Sequence, residues 1–168
     1  MTMRSRLTTN RLFLSPFTLD DVDELHAILA DPRTNTIGSG PFTAIAQTEK
    51  WIRNRMAAER DHGLRWYAVR QKATDVLIGN CGLFRGRADA EIGYLIHRPW
   101  QGRGFASEAV AAVLDECRSA GIGPVWAIIR PHNTFSIRIA ERAGLRLARI
   151  ESDERGPLHY FVTSRANT

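Results

Sequence analysis

Cysteine is scarce: Cys81 and Cys117 are the two present, and they form no C-x-x-C pair. Neither a disulfide framework nor a cysteine zinc site is expected, and both thiols read as small core residues. The five histidines, His26, His62, His97, His132 and His159, make no H-x-x-x-H pair, so a metal site has no ligand set. No apolar run approaches the roughly 18–20 residues that a membrane span needs. Met1 to Arg11 is polar and basic with no apolar stretch behind it, which predicts no secretory signal and a cytoplasmic location. Repeats, low-complexity tracts and long linkers are missing too, so the 168 residues read as a single domain, 1–168.

Basic residues outnumber acidic ones, with a net charge of +5. That excess favours anionic partners without choosing among nucleic acid, acidic membranes and phosphorylated cofactors. The basic residues are scattered, with no block of the kind that marks a nucleic-acid patch, so nucleic acid is not the expected partner.

The hydrophobic pattern predicts a mixed α/β fold. Arg11 to Ser15 reads as a strand. Thr18 and Asp21 form a capping box that opens a helix to about Leu29. Thr43 is placed to cap a second helix, Ala44 to Arg60, ending near Gly63. Trp66–Arg70 and Val76–Phe84 form a hairpin about a polar turn, and Ala90–Ile96 adds a third antiparallel strand. Apolar residues at Ala106, Ala109, Val110, Val113, Leu114 and Cys117 then mark one face of a helix over Phe105 to Ala120. A short strand at Val125–Ile129, a helix at Asn133–Ala143, and strands at Arg146–Glu151 and Leu158–Thr163 complete the chain. The passage from Ile96 through the helix to Val125 is a parallel crossover.

The segment Trp100-Gln-Gly-Arg-Gly-Phe-Ala-Ser107 joins a strand to a helix. Gly102 and Gly104 permit a tight turn and close approach of a ligand. The first helical turn supplies free amides and a partial positive charge, a site for a pyrophosphate. Arg103 can add a charged contact. The segment is not a Walker A loop, and Ser107 stands where a dinucleotide fingerprint needs its third glycine. A plain connecting turn satisfies the same spacing.

Gln101-x-x-Gly104-x-Ala106 resembles the Q/R-x-x-G-x-G/A motif of the GNAT superfamily of N-acetyltransferases. Thr9-x-Arg11-Leu12, Trp51-Ile52, Ile78-Gly79-x-x-Gly82-Leu83, Glu91-Ile92-Gly93-Tyr94, Asn133-x-x-Ser136 and Glu141-Arg142-x-Gly144 are similar to the RimJ/RimL-type branch. The resemblance spans nearly the whole chain. It implies a twisted, mixed but largely antiparallel sheet of about seven strands, splayed at the fourth, with about four helices on its faces. It implies acetyl-CoA as co-substrate and no metal. The pantetheine arm would lie along Tyr94, Leu95 and Ile96. The amides of Gln101, Gly102, Arg103, Gly104, Phe105 and Ala106 would hold the pyrophosphate.

Amine acetylation needs a neutral amine and a protonated leaving thiolate, tasks for a base and an acid. Glu91, at the start of the fourth strand, is the candidate base; period-2 alternation would equally make it an exposed strand glutamate. Many members of the superfamily carry a tyrosine donor where this chain has Ala140. Ser136, one turn earlier on the same helix face, resembles the donor of the RimJ/RimL-type branch, although a first-turn serine also satisfies backbone groups. Asn133 would bond the pantetheine arm or cap its helix. Leu145 replaces the usual phenylalanine, and His97 and His132 lie near the expected cofactor.

The acceptor would be a primary amine, either a protein N-terminus such as that of a ribosomal protein or a small molecule. The loops 31–41 and 152–156 would shape its pocket. Both are short and lack a clear carboxylate cluster for a polycation, although Asp153 and Glu154 are candidates. An α-amine titrates near about 7.7–8.0, below lysine, and asks less of the acid–base machinery. A non-catalytic acyl-CoA-binding sensor or docking module is the alternative, and a homodimer stays open.

Overall fold

The computed structural model describes residues 2–34 and 40–164. The middle of the expected acceptor loop, residues 35–39, lies outside the described residues. The strands are β1 (Leu7–Thr8), β2 (Leu12–Pro16), β3 (Trp66–Gln71), β4 (Leu77–Phe84), β5 (Glu91–Ile96), β6 (Trp126–Ile129), β7 (Arg146–Asp153) and β8 (Gly156–Val162). The helices are α1 (Val22–Leu29), α2 (Ile45–His62), α3 (Phe105–Ser119) and α4 (Thr134–Arg142). The strands form one sheet in the order β1-β2-β3-β4-β5-β6-β8-β7.

All neighbouring pairs are antiparallel except β5–β6, which is parallel and meets only at Glu91 and Trp126. Beyond that point the two strands diverge, and the sheet is splayed at the strand expected to be the fourth. The sheet has eight strands rather than about seven. The extra one, β1, has two residues and pairs with β2 through a turn in which the Thr9 N–H donates to the Leu12 carbonyl.

Two differences at helix starts have local causes. Thr18 and Asp21 do form the capping box, but the first residues it caps, Leu19–Asp21, wind as a 3-10 turn before α1 begins. The N-cap of α2 is Ala44, not Thr43, because Gln47 Oε1 reaches back to the amides of both residues at 2.9 and 2.7 Å.

Alternation along the strands sends apolar residues to both faces, and each face has its own core. One packs Leu12, Leu14, Tyr67, Ile78 and Ile92 against the predicted stripe of α3, from Ala106 to Cys117. The other packs Leu25, Ile28 and Ile52 of α1 and α2 against Trp66, Ala68 and Leu77. Cys81 and Cys117 are free thiols buried in the first core.

Glu116 is buried at the inner face of α3, where its carboxylate accepts from the Arg4 amide at 2.5 Å and from Arg4 Nε at 2.7 Å. Burial raises its pKa, but the two Arg4 donors outweigh this and hold it below the ordinary carboxylate value. A carboxyl lowered in the fold stabilises above its unfolded pKa of about 4.3 and stops doing so as pH falls through the folded value. Glu116→Gln should therefore cost about 1.5–3 kcal/mol at neutral pH. Urea unfolding of both proteins should show the gap closing below about pH 4.

Candidate active site

The splay leaves a row of backbone groups without a strand partner. The His97 N–H donates to the Ile78 carbonyl at 2.8 Å, so odd-numbered residues of β5 point their backbone groups at β4. Even-numbered ones face the gap, as the Trp126 N–H to Ala90 carbonyl bond at its root shows. Tyr94 therefore offers both its N–H and its C=O there, and Ile96 its N–H. The Ile96 carbonyl is taken by Gln101 Nε2 at 2.8 Å. Leu95 turns its amide to β4 and its side chain to the core of α1 and α2, while the Ile96 side chain is buried in the α3 core. Of the three residues expected along a pantetheine arm, Tyr94 presents the most to the gap.

At the far end of the gap the chain makes the 3-10 turn Arg98–Trp100 and enters the glycine loop. Gly102 and Gly104 have φ of 78° and 80°, a backbone region that strains any residue with a Cβ. The first amide used inside α3 is that of Glu108, which donates to the Gly104 carbonyl at 3.1 Å. The amides from Gly102 to Ser107 have no acceptor among the described residues. Gln101 stands apart from this set: its amide donates to the Arg98 carbonyl at 3.2 Å, so it fastens the loop at both ends of its own residue. The side chains of Phe105 and Ala106 are buried, and only their amides face the loop. The guanidinium of Arg103 is exposed and lies 5.3 Å from the Trp100 ring centre.

The loop has a brace that its own sequence does not show. Glu108 accepts from Thr9 Oγ1 at 2.5 Å, from the Arg11 amide at 3.0 Å and from Arg11 Nε at 2.8 Å. Arg11 Nη1 then donates to the Arg103 carbonyl at 3.0 Å, and the guanidinium stacks on Phe105 at 4.2 Å. The Thr9-x-Arg11 motif thus holds the loop's carbonyl side, which leaves its amides pointing outward.

Across the gap stands α4. Asn133 caps it, its Oδ1 accepting from the Ser136 amide at 3.2 Å, so the capping role is filled and the Asn133 Nδ2 is left over. The Tyr94 hydroxyl donates to the Ser136 carbonyl at 2.7 Å, tying β5 to α4. Burial pushes the Tyr94 pKa well up, which keeps it a neutral donor. Tyr94, Asn133 and Ser136 are thereby gathered on one face of β5.

Glu91 belongs to the other face, at the root of the gap. It is 6% exposed, so the alternative of a solvated strand glutamate does not hold. The turn before β5 wraps it, and Oε2 accepts from the Ala88 amide at 3.1 Å. Burial raises its pKa above the ordinary carboxylate value, against the pull of the Ala88 and Arg87 amides and the Arg87 charge. A carboxylate raised toward neutrality is suited to accept a proton. Beyond it, a Cβ on Gly93 would run into the Trp66 indole, so glycine is required for the indole to lie across β5.

Asp153 does not supply a free carboxylate. Arg130 holds it at 2.9 and 2.7 Å and Arg87 at 2.6 Å, with the Arg130 bond first among the causes that keep its pKa far down. Glu154 is exposed. His97 Nε2 sits 3.3 Å from Asp31, and His132 is exposed. Among the described residues no cluster of His, Cys, Asp or Glu is arranged to hold a metal, and no helix is long and apolar enough to cross a membrane. An apolar hollow of about 670 Å³ near Cys117 and Ile122 lies at the opposite end of α3 and shares no residue with the glycine loop.

A family model described as an acetyltransferase (GNAT) domain matches residues 11–146. The uncharacterized N-acetyltransferase p20 of Bacillus licheniformis is 33% identical over 138 residues, covering 79% of this chain and 78% of that protein. Among solved structures, a GnaT-family acetyltransferase from Bordetella pertussis superposes with a TM-score of 0.83 at 25% identity, covering 96% of this chain and 100% of that one. RimL, a ribosomal L7/L12 α-N-protein acetyltransferase solved in complex with coenzyme A, shares the fold at a TM-score of 0.81 and 17% identity, over 93% of this chain and 95% of its own.

Proposed function

Because the chain belongs to the GNAT acetyltransferase family, we propose that it moves an acetyl group from acetyl-CoA to a primary amine by direct attack in a ternary complex. The observation that carries this is the unpaired backbone of Tyr94 in the gap, continuous with the unbonded amides from Gly102 to Ser107. An extended amide-bearing arm can pair with Tyr94, and a diphosphate can rest on the start of α3. The residues present therefore fit coenzyme A, and RimL binds it on the same fold.

Glu91 and Ser136 then face a bound thioester from opposite sides of β5. The amine attacks the acetyl carbonyl carbon, forming the C–N bond, and its proton passes to Glu91, directly or through a water. Collapse of the tetrahedral intermediate breaks the C–S bond; the Ser136 hydroxyl donates a hydrogen bond to the departing thiolate, whose proton comes from solvent water relayed through that hydroxyl, which is left neutral. The Tyr94 bond to the Ser136 carbonyl positions that first turn of α4. Backbone N–H groups of the splayed strand would receive the oxyanion. The acceptor is an α-amine in this reading, since Asp153 is neutralised by two arginines and, among the described residues, no carboxylate cluster awaits a polycation.

Ser136→Ala should lower kcat about 10²-fold while leaving the acetyl-CoA Kd unchanged. Equal turnover in the variant removes Ser136 from the mechanism. The overall reading is tested by following free CoA release against a panel of peptides and amines. Tight acetyl-CoA binding with no release above background on any acceptor would favour a non-catalytic acyl-CoA sensor instead.

A further inference from the structure

Among the described residues, two buried side-chain polar atoms have no hydrogen-bond partner: Arg55 Nε and Asn80 Nδ2. Residues 55 and 80 come from α2 and β4, yet both border the same side chain, Trp66. The Trp66 indole N–H donates to Asn80 Oδ1 at 3.1 Å, which fixes the amide's orientation and leaves its NH2 group aimed elsewhere. The Arg55 guanidinium lies in the corner between two perpendicular indoles, 4.5 Å from the Trp51 ring centre and 4.6 Å from that of Trp66. Among the described residues it has no carboxylate partner, and burial depresses its pKa. Only the Nε–H of this half-buried side chain is both buried and unpaired, and a buried donor left so costs roughly 1–3 kcal/mol.

Both orphans are donors, and the guanidinium is positively charged. They flank a ring whose far edge lies across Gly93, two residues from Glu91 and on the same face of β5. We propose that Arg55 and Asn80 form an anion subsite beside the acetyl-transfer centre, which receives a carboxylate carried by the amine acceptor. A carboxylate supplies the acceptor oxygens that both donors lack, and the planar guanidinium matches it in shape. The acceptor is thus an amine that also bears a carboxylate, with an apolar body against the Trp51 and Trp66 rings. This rests on the acetyltransferase reading for its substrate sense, but not for its test.

The probe is 3-phenylpropionate, which carries the carboxylate and no amine, against its neutral amide, 3-phenylpropanamide. Binding is read by tryptophan fluorescence in the full chain, since Trp51 and Trp66 border the subsite. The carboxylate should bind at least tenfold more tightly than the amide. Arg55→Met should remove that preference. Asn80→Asp keeps the acceptor for Trp66, removes the donor and adds a competing negative charge, and it should remove the preference as well. Equal binding of acid and amide to the wild type overturns the proposal, as does an undiminished preference in either folded variant. If Arg55→Met fails to fold, Asn80→Asp alone decides. CoA release with an amino acid and with its amide reports separately on transfer. Loss of transfer with intact carboxylate preference would count against the enzyme reading and leave the subsite standing.

Discussion

Gly104→Glu should weaken acetyl-CoA binding by at least about a hundredfold, roughly 3 kcal/mol. Two effects act together. The residue sits at φ 80°, where a Cβ carries a strain of about 1–2 kcal/mol, although the space around it is open enough for a side chain, with Arg11 Nη2 no nearer than 3.4 Å. A carboxylate placed at the start of α3 would occupy or repel from the amides that a diphosphate needs. Gly104→Ala adds the strain without the charge and should lose only about tenfold. Calorimetry with acetyl-CoA measures both, and denaturant unfolding checks that each variant is folded. Wild-type affinity in a folded Gly104→Glu protein would sink the cradle assignment.

Glu91→Gln should lower kcat/KM by about 10²–10³-fold with little change in acetyl-CoA affinity. The amide keeps an oxygen for the Ala88 N–H, so the turn around it stays closed. The pH profile is the sharper measurement. Because burial raises the Glu91 pKa, the base is ionised only above a pH higher than the ordinary value of about 4.3. The wild-type rate should climb as pH rises through that raised pKa, and the variant should lack that limb. A variant with the wild-type rate and the wild-type profile leaves Glu91 with only its structural bond to the turn.

Much of the architecture was legible along the chain. The stripe from Ala106 to Cys117 faces the core in the structure, because a 3.6-residue repeat leaves one helical face apolar whatever it packs on. The antiparallel run from Trp66 to Ile96 was legible for the same kind of reason, whereas the splay beside its last strand was expected only from the family resemblance. The two-residue strand β1 was not, since so short an element has no period to display. Strand β7 shows the limit of alternation. A bulge between Leu147 and Arg149 puts Leu147 and Ile150 opposite Phe161 and His159 on one face, where both remain about half exposed.

The candidate site divides in the same way. Gly102, Gly104 and the helix that follows are neighbours in sequence, so spacing alone located the loop. Gln101 lies in that loop, but its amide is spent on the Arg98 carbonyl and its side chain on the Ile96 carbonyl, so neither was free for the pyrophosphate that the resemblance assigned to it. Glu108, which braces the loop through Thr9 and Arg11, carried no signal because its partners lie nearly a hundred residues away. Arg55 looked like any helical arginine, and Asn80 like a strand asparagine. Only their packing about Trp66 leaves Arg55 Nε and Asn80 Nδ2 without an acceptor.

By itself the sequence determined the family pattern, the order of strands and helices, and the glycine loop, since each depends on residues within a few turns of one another. The tertiary structure decided which amides stay free, which carboxylates are already paired, how far burial moves the Glu91 proton, and which two donors still want a partner. Those outcomes sum desolvation and pairing over atoms that the chain brings together only when it folds, and no local spacing encodes that sum.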